Sequence, residues 1–333
     1  MSLPLISSKA VVSREPGGEL GGALLGTPAS GALPAWPVQR VFAPLFGSTA
    51  AVAHEVWLGD SPASEGRGED IVWRRNAGLL YGVIELDEAD FAGTADESPL
   101  QSASAEAYRR IFRLLDSQGL PHLWRVWNYL AAINLEIGGL ERYRQFNIGR
   151  QDAFLECRHE ASGNVPAACA IGLAGGLLNI AFLAGASPAL PIENPRQVSA
   201  YDYPADYGPR SPTFSRANLV YPAGQEVLFI SGTASIVGYE TVHPGNVLGQ
   251  CRETMDNIAA VVAEANRRCR SAPFRQDELS YRVYFRHAGD FAAIRNLLAP
   301  LVGGAEVIYL QADICRRDLL LEIEAVASHT LGS

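Results

Sequence analysis

The stretch 246-NVLGQCRETMDNIAAVVAEANRR-268 carries the most regular hydrophobic pattern in this chain of 333 residues. Apolar side chains recur along it three and four residues apart, at Leu248, Cys251, Met255, Ile258 and Val262. This spacing places them on one face of a helix, with the charged residues on the rest of its surface. The pattern predicts a long amphipathic helix over residues 246–268 that packs one face on a sheet.

Segments with the pattern of strands lie on both sides of this helix. We predict strands at 217–221, 226–232, 279–286, 305–311 and 319–327, and a second helix at 288–301. The order of strand, long helix, strand, helix, strand and strand resembles the fold of the RidA/YjgF family and of one class of chorismate mutase. A likeness in architecture implies a fold and leaves the function open.

The part of the chain before residue 190 mixes strand and helix signals. Strand patterns cover 38–58 and 78–86, and helix patterns cover 103–115, with Ser102 as the N-cap, and about 140–155. Residues 13–37 are rich in Gly and Pro, so we predict an irregular segment there.

The predicted fold class is α+β, with mixed sheets and packed helices in two domains. We place an N-terminal α+β domain at residues 1–190 and a C-terminal RidA/YjgF-like, chorismate mutase-like domain at 191–333. The boundary lies just before residues 193–212, which are rich in Pro and Tyr. We predict that this segment is a long ordered loop or is built around a ligand.

A segment without charged residues runs between Glu160 and Glu193 and is long enough to span a bilayer. The pair Gly175-Gly176 divides its apolar part into two short runs, 170–174 and 177–184. We therefore predict two buried strands joined by a tight glycine turn, and no membrane span.

Composition argues against several classes of function. The net charge of −9 disfavours a nucleic-acid partner, because phosphate-binding surfaces are built from clustered cations. Five cysteines without a CxxC pair suggest a reducing compartment, and no secretory signal is evident, so we predict a cytoplasmic protein. The chain lacks HExxH, GxGxxG and GxxxxGK[ST] motifs, so no metal, nucleotide or other cofactor is expected. We expect a monomer or small homo-oligomer that binds a small molecule.

Two segments combine arginine with tyrosine. Tyr143 and Arg150 are seven residues apart on a predicted helix, so both side chains can point the same way. The alternative is a surface helix with solvated arginines. Tyr203 and Arg216 belong to the second segment, where four prolines stiffen the chain. Such residues can bind a carboxylate, and the alternative is a connection whose arginines bind backbone carbonyls.

The last predicted strand carries a third candidate. Strand alternation places Glu322 and Glu324 on one face and Leu321, Ile323 and Ala325 on the other. One alternative is that the glutamate face is exposed to solvent. The other is that Glu322 lies in an apolar pocket, where desolvation raises its pKa and makes it a general acid near neutral pH. Periodicity does not choose between these alternatives.

At these same residues the chain closely resembles the chorismatase family, which includes enzymes that form 3-hydroxybenzoate or a dihydroxycyclohexadiene carboxylate. The matching motifs are WNY at 127–129, YRxFxxGR at 143–150, ENP at 193–195, YPxxYGPRxPxFxRA at 203–217, FISGTAS at 229–235, TVHPGNVxGQC at 241–251 and LLLEIE at 319–324. The match covers most of the chain and is less distinct in its first third.

The resemblance implies a role for individual residues. The implied substrate-binding residues are Tyr143, Arg150, Tyr203 and Arg216. Glu322 is the implied catalytic acid/base, with Glu324 in support. Chorismate has two carboxylates, for which the two arginines are the expected anchors. Its enol ether is cleaved after the methylene carbon is protonated, which requires a positioned acid.

Two small positions distinguish the subtypes of this family. Members that form the diene acid have Ala at both positions, whereas members that form 3-hydroxybenzoate have Gly in the SGTAS turn and Cys before the last strand. Here these residues are Gly232 and Cys315. The glycine leaves room at the substrate ring, and the cysteine offers a weak acid or nucleophile. The alternative for Cys315 is a small buried filler.

The resemblance therefore implies conversion of chorismate to pyruvate and 3-hydroxybenzoate, with 4-hydroxybenzoate as a second product. One alternative is a hydrolytic chorismatase that gives 3,4-dihydroxycyclohexa-1,5-diene carboxylate. Others are a RidA-like protein that binds metabolites or hydrolyses imines, and a chorismate mutase.

Overall fold

The computed structural model describes residues 5–8, 18–27, 33–59, 62–91, 93 and 97–331. Within these ranges the helices are α1 (Pro99–Gln118), α2 (Arg142–Glu156), α3 (Val247–Asn266) and α4 (Phe291–Val302). The strands are β1 (Leu5–Ser8), β2 (Glu19–Gly26), β3 (Val38–Val41), β4 (Leu45–Phe46), β5 (Val52–Leu58), β6 (Ser64–Gly68), β7 (Ile71–Arg75), β8 (Leu79–Leu86), β9 (His122–Ala131), β10 (Glu136–Ile137), β11 (Leu140–Glu141), β12 (Ala167–Leu173), β13 (Leu178–Gly185), β14 (Leu190–Ile192), β15 (Ala217–Val220), β16 (Gln225–Thr233), β17 (Ile236–Val237), β18 (Glu240–Thr241), β19 (Ser280–Phe285), β20 (Val307–Gln311) and β21 (Leu321–Thr330).

Three sheets of four, six and seven strands carry most of the fold. Their strand orders are β1-β5-β2-β3, β12-β9-β13-β8-β7-β6 and β14-β15-β16-β21-β19-β20-β4. Each sheet contains one parallel pair, namely β2 with β3, β9 with β12, and β19 with β20, and its other pairs are antiparallel. Mixed sheets with packed helices confirm the predicted α+β class.

Helices cover the outer faces of two sheets, and a shared core fills the space between the sheets. Phe182 of the six-stranded sheet packs in the core formed with α1 and α2. Val283 of the seven-stranded sheet packs in the core formed with α3 and α4. The central core joins all three sheets through aromatic contacts, in which the ring of Trp57 lies 5.8 Å from that of Trp127 and 5.5 Å from that of Phe229.

Strand β21 lies in the middle of the seven-stranded sheet, between β16 and β19. Leu321 and Ile323 on its odd face pack in the core with α3 and α4. Its even face points toward the other sheets, where Glu324 pairs with Arg125 of β9. Both faces of the strand are therefore covered, and Glu322 and Glu324 are buried.

The elements predicted after residue 216 are confirmed, with ends that differ by no more than three residues. The segment 193–212 contains only two short 3-10 turns, as expected for an ordered loop. Both β4 and β14, which come from the first 192 residues, add to the edges of the seven-stranded sheet. The division at residue 190 and the RidA/YjgF-like character of the second part stay predictions.

Three details predicted for the first part of the chain are wrong. Helix α1 begins after Ser98, whose hydroxyl accepts the N–H of Gln101 at 3.2 Å, and not after Ser102, because Pro99 is well suited to the first helical position. Residues 19–26, predicted to be irregular, form β2. Residues 13–17 and 28–32 of that predicted irregular segment lie outside the described residues.

The third correction concerns the apolar segment around Gly175. Its two buried strands, β12 and β13, are confirmed, but they do not form a hairpin, because β9 lies between them and pairs with both. In the part of the chain that the structure describes, no helix is long and apolar enough to cross a membrane.

The packing of α1 against α2 depends on Gly149. A Cβ atom at this position would lie 2.1 Å from the backbone oxygen of Gln101. We expect Gly149→Ala to force the helices apart and to lower the free energy of unfolding by about 1–3 kcal/mol, as measured by denaturant titration. Leu155→Ala, on the exposed side of the same helix, is the control and should change it by less than about 0.5 kcal/mol. Equal stability of the two variants would contradict this close approach.

Candidate active site

A cavity of about 500 Å³ opens where α2, the loop before β15, β16 and the segment before β21 meet. Six of the seven residues singled out from the sequence line its wall, namely Tyr143, Tyr203, Arg216, Gly232, Cys315 and Glu322. The cavity therefore gathers side chains from positions 143 to 322 of the chain at one place.

Glu322 lies at the inner end of this cavity, on the buried even face of β21, with 3% of its surface exposed. Burial raises its pKa to about 8, Glu324 adds to the increase, and Arg125 and the hydrogen bond with Cys315 act in the opposite direction. The carboxyl group therefore keeps its proton near neutral pH. Of the alternatives left open by the strand pattern, the structure shows the buried one.

Gly232 makes room for the Glu322 carboxyl group. A Cβ atom at Gly232 would lie 1.8 Å from Oε1 of Glu322, so any other residue would displace this oxygen. The prediction that Gly232 lies in a turn is wrong. It lies in β16, at a register shift between Ile230 and Thr233. A bulge of this kind re-aims the strand next to a site.

Cys315 lies on the other side of the same carboxyl group. Its Sγ is 3.9 Å from Oε2 of Glu322. Burial and the neighbouring Glu322 both raise the pKa of the thiol. The thiol therefore stays protonated, which favours its interpretation as a neutral group beside the acid over that of a thiolate nucleophile.

Arg216 and Tyr203 form a fixed pair on the cavity wall. Nη2 of Arg216 donates to the Tyr203 hydroxyl at 2.7 Å and to the backbone oxygen of Val198 at 2.8 Å. Its guanidinium also lies 5.3 Å from the ring centre of Phe214. Nε of Arg216 has no acceptor among the described residues. The side chain is thus held in place on the cavity wall, where its guanidinium can bind an anion.

Tyr143 and Arg150 do not share the cavity, although both project from α2. Tyr143 lines the wall, and burial raises the pKa of its hydroxyl. Arg150 is buried next to it, where it donates to the backbone oxygen of Thr213 and lies 5.4 Å from the ring centre of Tyr108. Seven residues advance a helix by about 10 Å. Two side chains at this spacing can therefore point the same way without reaching the same pocket. A substrate contact by Arg150 stays a prediction.

The cavity wall contains three cations that sequence reasoning missed, Arg144, Arg316 and Arg317. Arg316 stacks 4.3 Å from the ring centre of Tyr207 and donates to the backbone oxygen of Tyr239 at 2.8 Å. The available signals were the first arginine of the YRxFxxGR motif, which is Arg144, and the Arg316-Arg317 pair directly after Cys315. With Arg216, four arginines face this cavity of an acidic protein.

Comparison with known proteins assigns this fold to a class of enzyme. The family model described as chorismatase FkbO/Hyg5-like, N-terminal, matches residues 55–184. A crystal structure of a chorismatase is similar to this chain with a TM-score of 0.85 and 33% sequence identity, over 98% of this chain and 99% of that chain.

Curated relatives agree with this assignment. A chorismatase from Streptomyces rapamycinicus is 38% identical over 282 residues, which is 82% of this chain and 82% of the relative. A 3-hydroxybenzoate synthase from Streptomyces hygroscopicus is 35% identical over 288 residues, which is 84% of this chain and 82% of the relative. The chain belongs to the chorismatase family, and the resemblance stated from its motifs is confirmed.

The raised pKa of Glu322 should appear in the stability of the protein. Between its ordinary pKa of 4.5 and the folded value of about 8, the folded protein holds a proton that the unfolded chain has released. This stabilisation is complete below the lower value and is lost as pH rises toward the higher one, by at most about 1.4 kcal/mol per pH unit. Glu322→Gln, which does not titrate, should lack this decline.

Denaturant titration of both proteins at several pH values across this window measures the effect. The unfolding free energy of the wild type should fall with pH more steeply than that of Glu322→Gln. Parallel pH dependences would mean that Glu322 titrates near its ordinary value.

Proposed function

We propose that this protein converts chorismate to pyruvate and 3-hydroxybenzoate, with 4-hydroxybenzoate as a second product. The observation that carries the proposal is a buried carboxyl group with a raised pKa, Glu322, lining a cavity whose wall also holds arginines. A proton donor and anion-binding groups in one pocket are what cleavage of a dianionic enol ether requires. The names of the two relatives support the same substrate and product.

Arg216 is the proposed anchor for one carboxylate of chorismate, oriented by Tyr203. Arg150 is the other anchor implied by the family, and it has an Nε without an acceptor among the described residues. Tyr143 lies on the cavity wall, and its pKa is affected by Arg150, Cys315 and Glu322. It is therefore proposed to contact the substrate in the cavity.

Glu322 is the proposed proton donor. Transfer of its proton to the methylene carbon of the enolpyruvyl group gives an oxocarbenium ion. The bond between the ether oxygen and the ring then breaks, and pyruvate leaves with that oxygen as its keto group. The neighbouring ring hydroxyl oxygen shifts to the vacated carbon to give 3-hydroxybenzoate, or stays in place to give 4-hydroxybenzoate, and the ring proton lost on aromatisation returns to the Glu322 carboxylate. The atoms of chorismate equal those of pyruvate plus 3-hydroxybenzoate, so this route needs no water overall. Formation of the diene acid instead consumes one water molecule.

Gly232 and Cys315 are proposed to decide between these products, because they contact the two oxygens of the same carboxyl group. Cys315 is a protonated thiol next to Glu322, so it is placed beside the reacting ring as a weak acid. The glycine sets where the Glu322 carboxyl group lies. Together they fix how the acid faces the substrate.

Incubation of the purified protein with chorismate, without added cofactor, tests the reaction. Pyruvate and 3-hydroxybenzoate are the expected products. A coupled enzyme assay measures the pyruvate, and chromatography measures the aromatic product. Glu322→Gln should keep the fold and substrate binding but release pyruvate about 10²–10⁴-fold more slowly, because the amide cannot donate the proton.

Glu240→Gln is the matched control, since Glu240 is exposed and does not line the cavity. It should react like the wild type. Full activity of Glu322→Gln would remove Glu322 from its role. Prephenate would indicate a mutase, and unchanged chorismate would favour a metabolite-binding protein.

The double variant Gly232→Ala with Cys315→Ala should shift the products toward the diene acid. The added methyl group displaces Oε1 of Glu322, and loss of Sγ removes the contact with Oε2. The ratio of diene acid to 3-hydroxybenzoate, measured by chromatography, should rise. Cys157→Ala, at the end of α2 and away from the cavity wall, is the control. An unchanged ratio in the double variant would refute the assignment of the subtype.

A further inference from the structure

Two glutamates that are equally buried on one face of β21 have different partners. Glu322 and Glu324 are two residues apart, and each has 3% of its surface exposed. Among the described residues, no cation lies within ion-pair distance of Glu322, and its hydrogen-bond partner is the thiol of Cys315. Glu324 instead binds two arginines.

The partners of Glu324 come from two neighbouring strands. Arg125 of β9 forms an ion pair with Oε2 of Glu324, and Nη1 of Arg282 in β19 lies 3.1 Å from Oε1. The hydroxyl of Tyr284 donates to the same Oε1 at 3.1 Å. Both oxygens of the Glu324 carboxyl group are therefore held by arginine or hydroxyl donors.

The ion network continues to a second glutamate. Arg282 also forms a two-point ion pair with Glu55 of β5, through its Nε and Nη2. All four charged residues of this network are buried, and they come from β5, β9, β19 and β21. We call Glu55, Arg125, Arg282 and Glu324 the buried ion network.

The buried ion network is electrically balanced without Glu322. It contains two arginines and two glutamates, so its formal charges cancel. An ionised Glu322 would add a third negative charge at a residue with only 3% of its surface exposed. Such an uncompensated buried charge is costly, and a carboxyl group in this position keeps its proton instead.

Apart from Arg125, the titratable groups that interact with Glu322 supply no compensating charge. Cys315, Cys169 of β12 and Tyr143 of α2 interact with Glu322, and burial raises the pKa of all three, so they are neutral near neutral pH. Burial likewise keeps Tyr284 of β19 neutral. The cation that favours ionisation of Glu322 is Arg125, and it is already paired with Glu324.

We propose that Glu324 is a positioning residue that keeps Glu322 protonated, because its carboxylate neutralises Arg125. This inference rests on the proposed function, in which Glu322 must carry a proton when the substrate binds. Glu324 does not act on the substrate, and it does not line the cavity. Its effect is to extend the proton-donating form of Glu322 to higher pH.

The pH dependence of kcat/KM for pyruvate release tests the proposal with opposite single changes. Activity of the wild type should fall on the basic side as Glu322 loses its proton. Glu324→Gln leaves the network with a net positive charge, so this basic limb should move to lower pH by about one to three units. At pH values below the shifted fall in activity, kcat/KM of Glu324→Gln should stay close to that of the wild type.

Arg125→Met leaves a net negative charge and should move the same limb to higher pH. The double variant Arg125→Met with Glu324→Gln is neutral again, so its limb should return to the wild-type position. Replacing a buried ion pair by apolar or neutral groups is often tolerated, which favours folding of the double variant. If Glu324→Gln does not fold, the upward shift in Arg125→Met still tests the proposal.

A purely structural role for the network would give a different result. It would lower activity equally at every pH, or shift both single variants in the same direction, and either outcome would overturn the proposal. Infrared titration of the Glu322 carboxyl band, identified by its loss in Glu322→Gln, measures the same shifts without turnover. A wild type that releases no pyruvate while this band shifts as expected would reject the proposed reaction and leave the role of Glu324 intact.

Discussion

The coverage of β21 on both faces is the constraint on which the site depends. Helices α3 and α4 cover one face, and the other sheets cover the second. A glutamate on the buried face of this strand has little contact with water, so pairing with cations or retention of a proton avoids the cost of an isolated buried charge. Glu324 shows the first solution and Glu322 the second, and the chemistry proposed for the cavity follows from this difference.

The buried ion network also links parts of the molecule that are far apart in sequence. Glu55 belongs to the four-stranded sheet, Arg125 to the six-stranded sheet, and Arg282 and Glu324 to the seven-stranded sheet. Removing one member of a buried ion pair typically costs about 3–5 kcal/mol, because its partner is left without compensation. The network therefore couples the relative position of the three sheets to the environment of Glu322.

The sequence was sufficient for the elements whose patterns are local. Helical spacing located α3 to within two residues at either end, and strand alternation showed that Glu322 and Glu324 share a face. What that face contacts could not be predicted, because its neighbours lie some 200 residues earlier in the chain, as Arg125 does. Motif resemblance located six residues of the cavity. It did not indicate Arg316 and Arg317, which lie in a loop without periodicity, nor the distance of Arg150 from the cavity.

The central place of β21 in its sheet has a consequence for the order in which the molecule can assemble. Ribosomes make this strand after the other twenty strands of the described residues, yet β16 and β19 pair with its two edges and not with each other. Until it emerges, both neighbours expose unpaired edges that can associate with other chains. The seven-stranded sheet thus closes by insertion of a late strand, and the residue proposed as the acid arrives with the segment that completes the core.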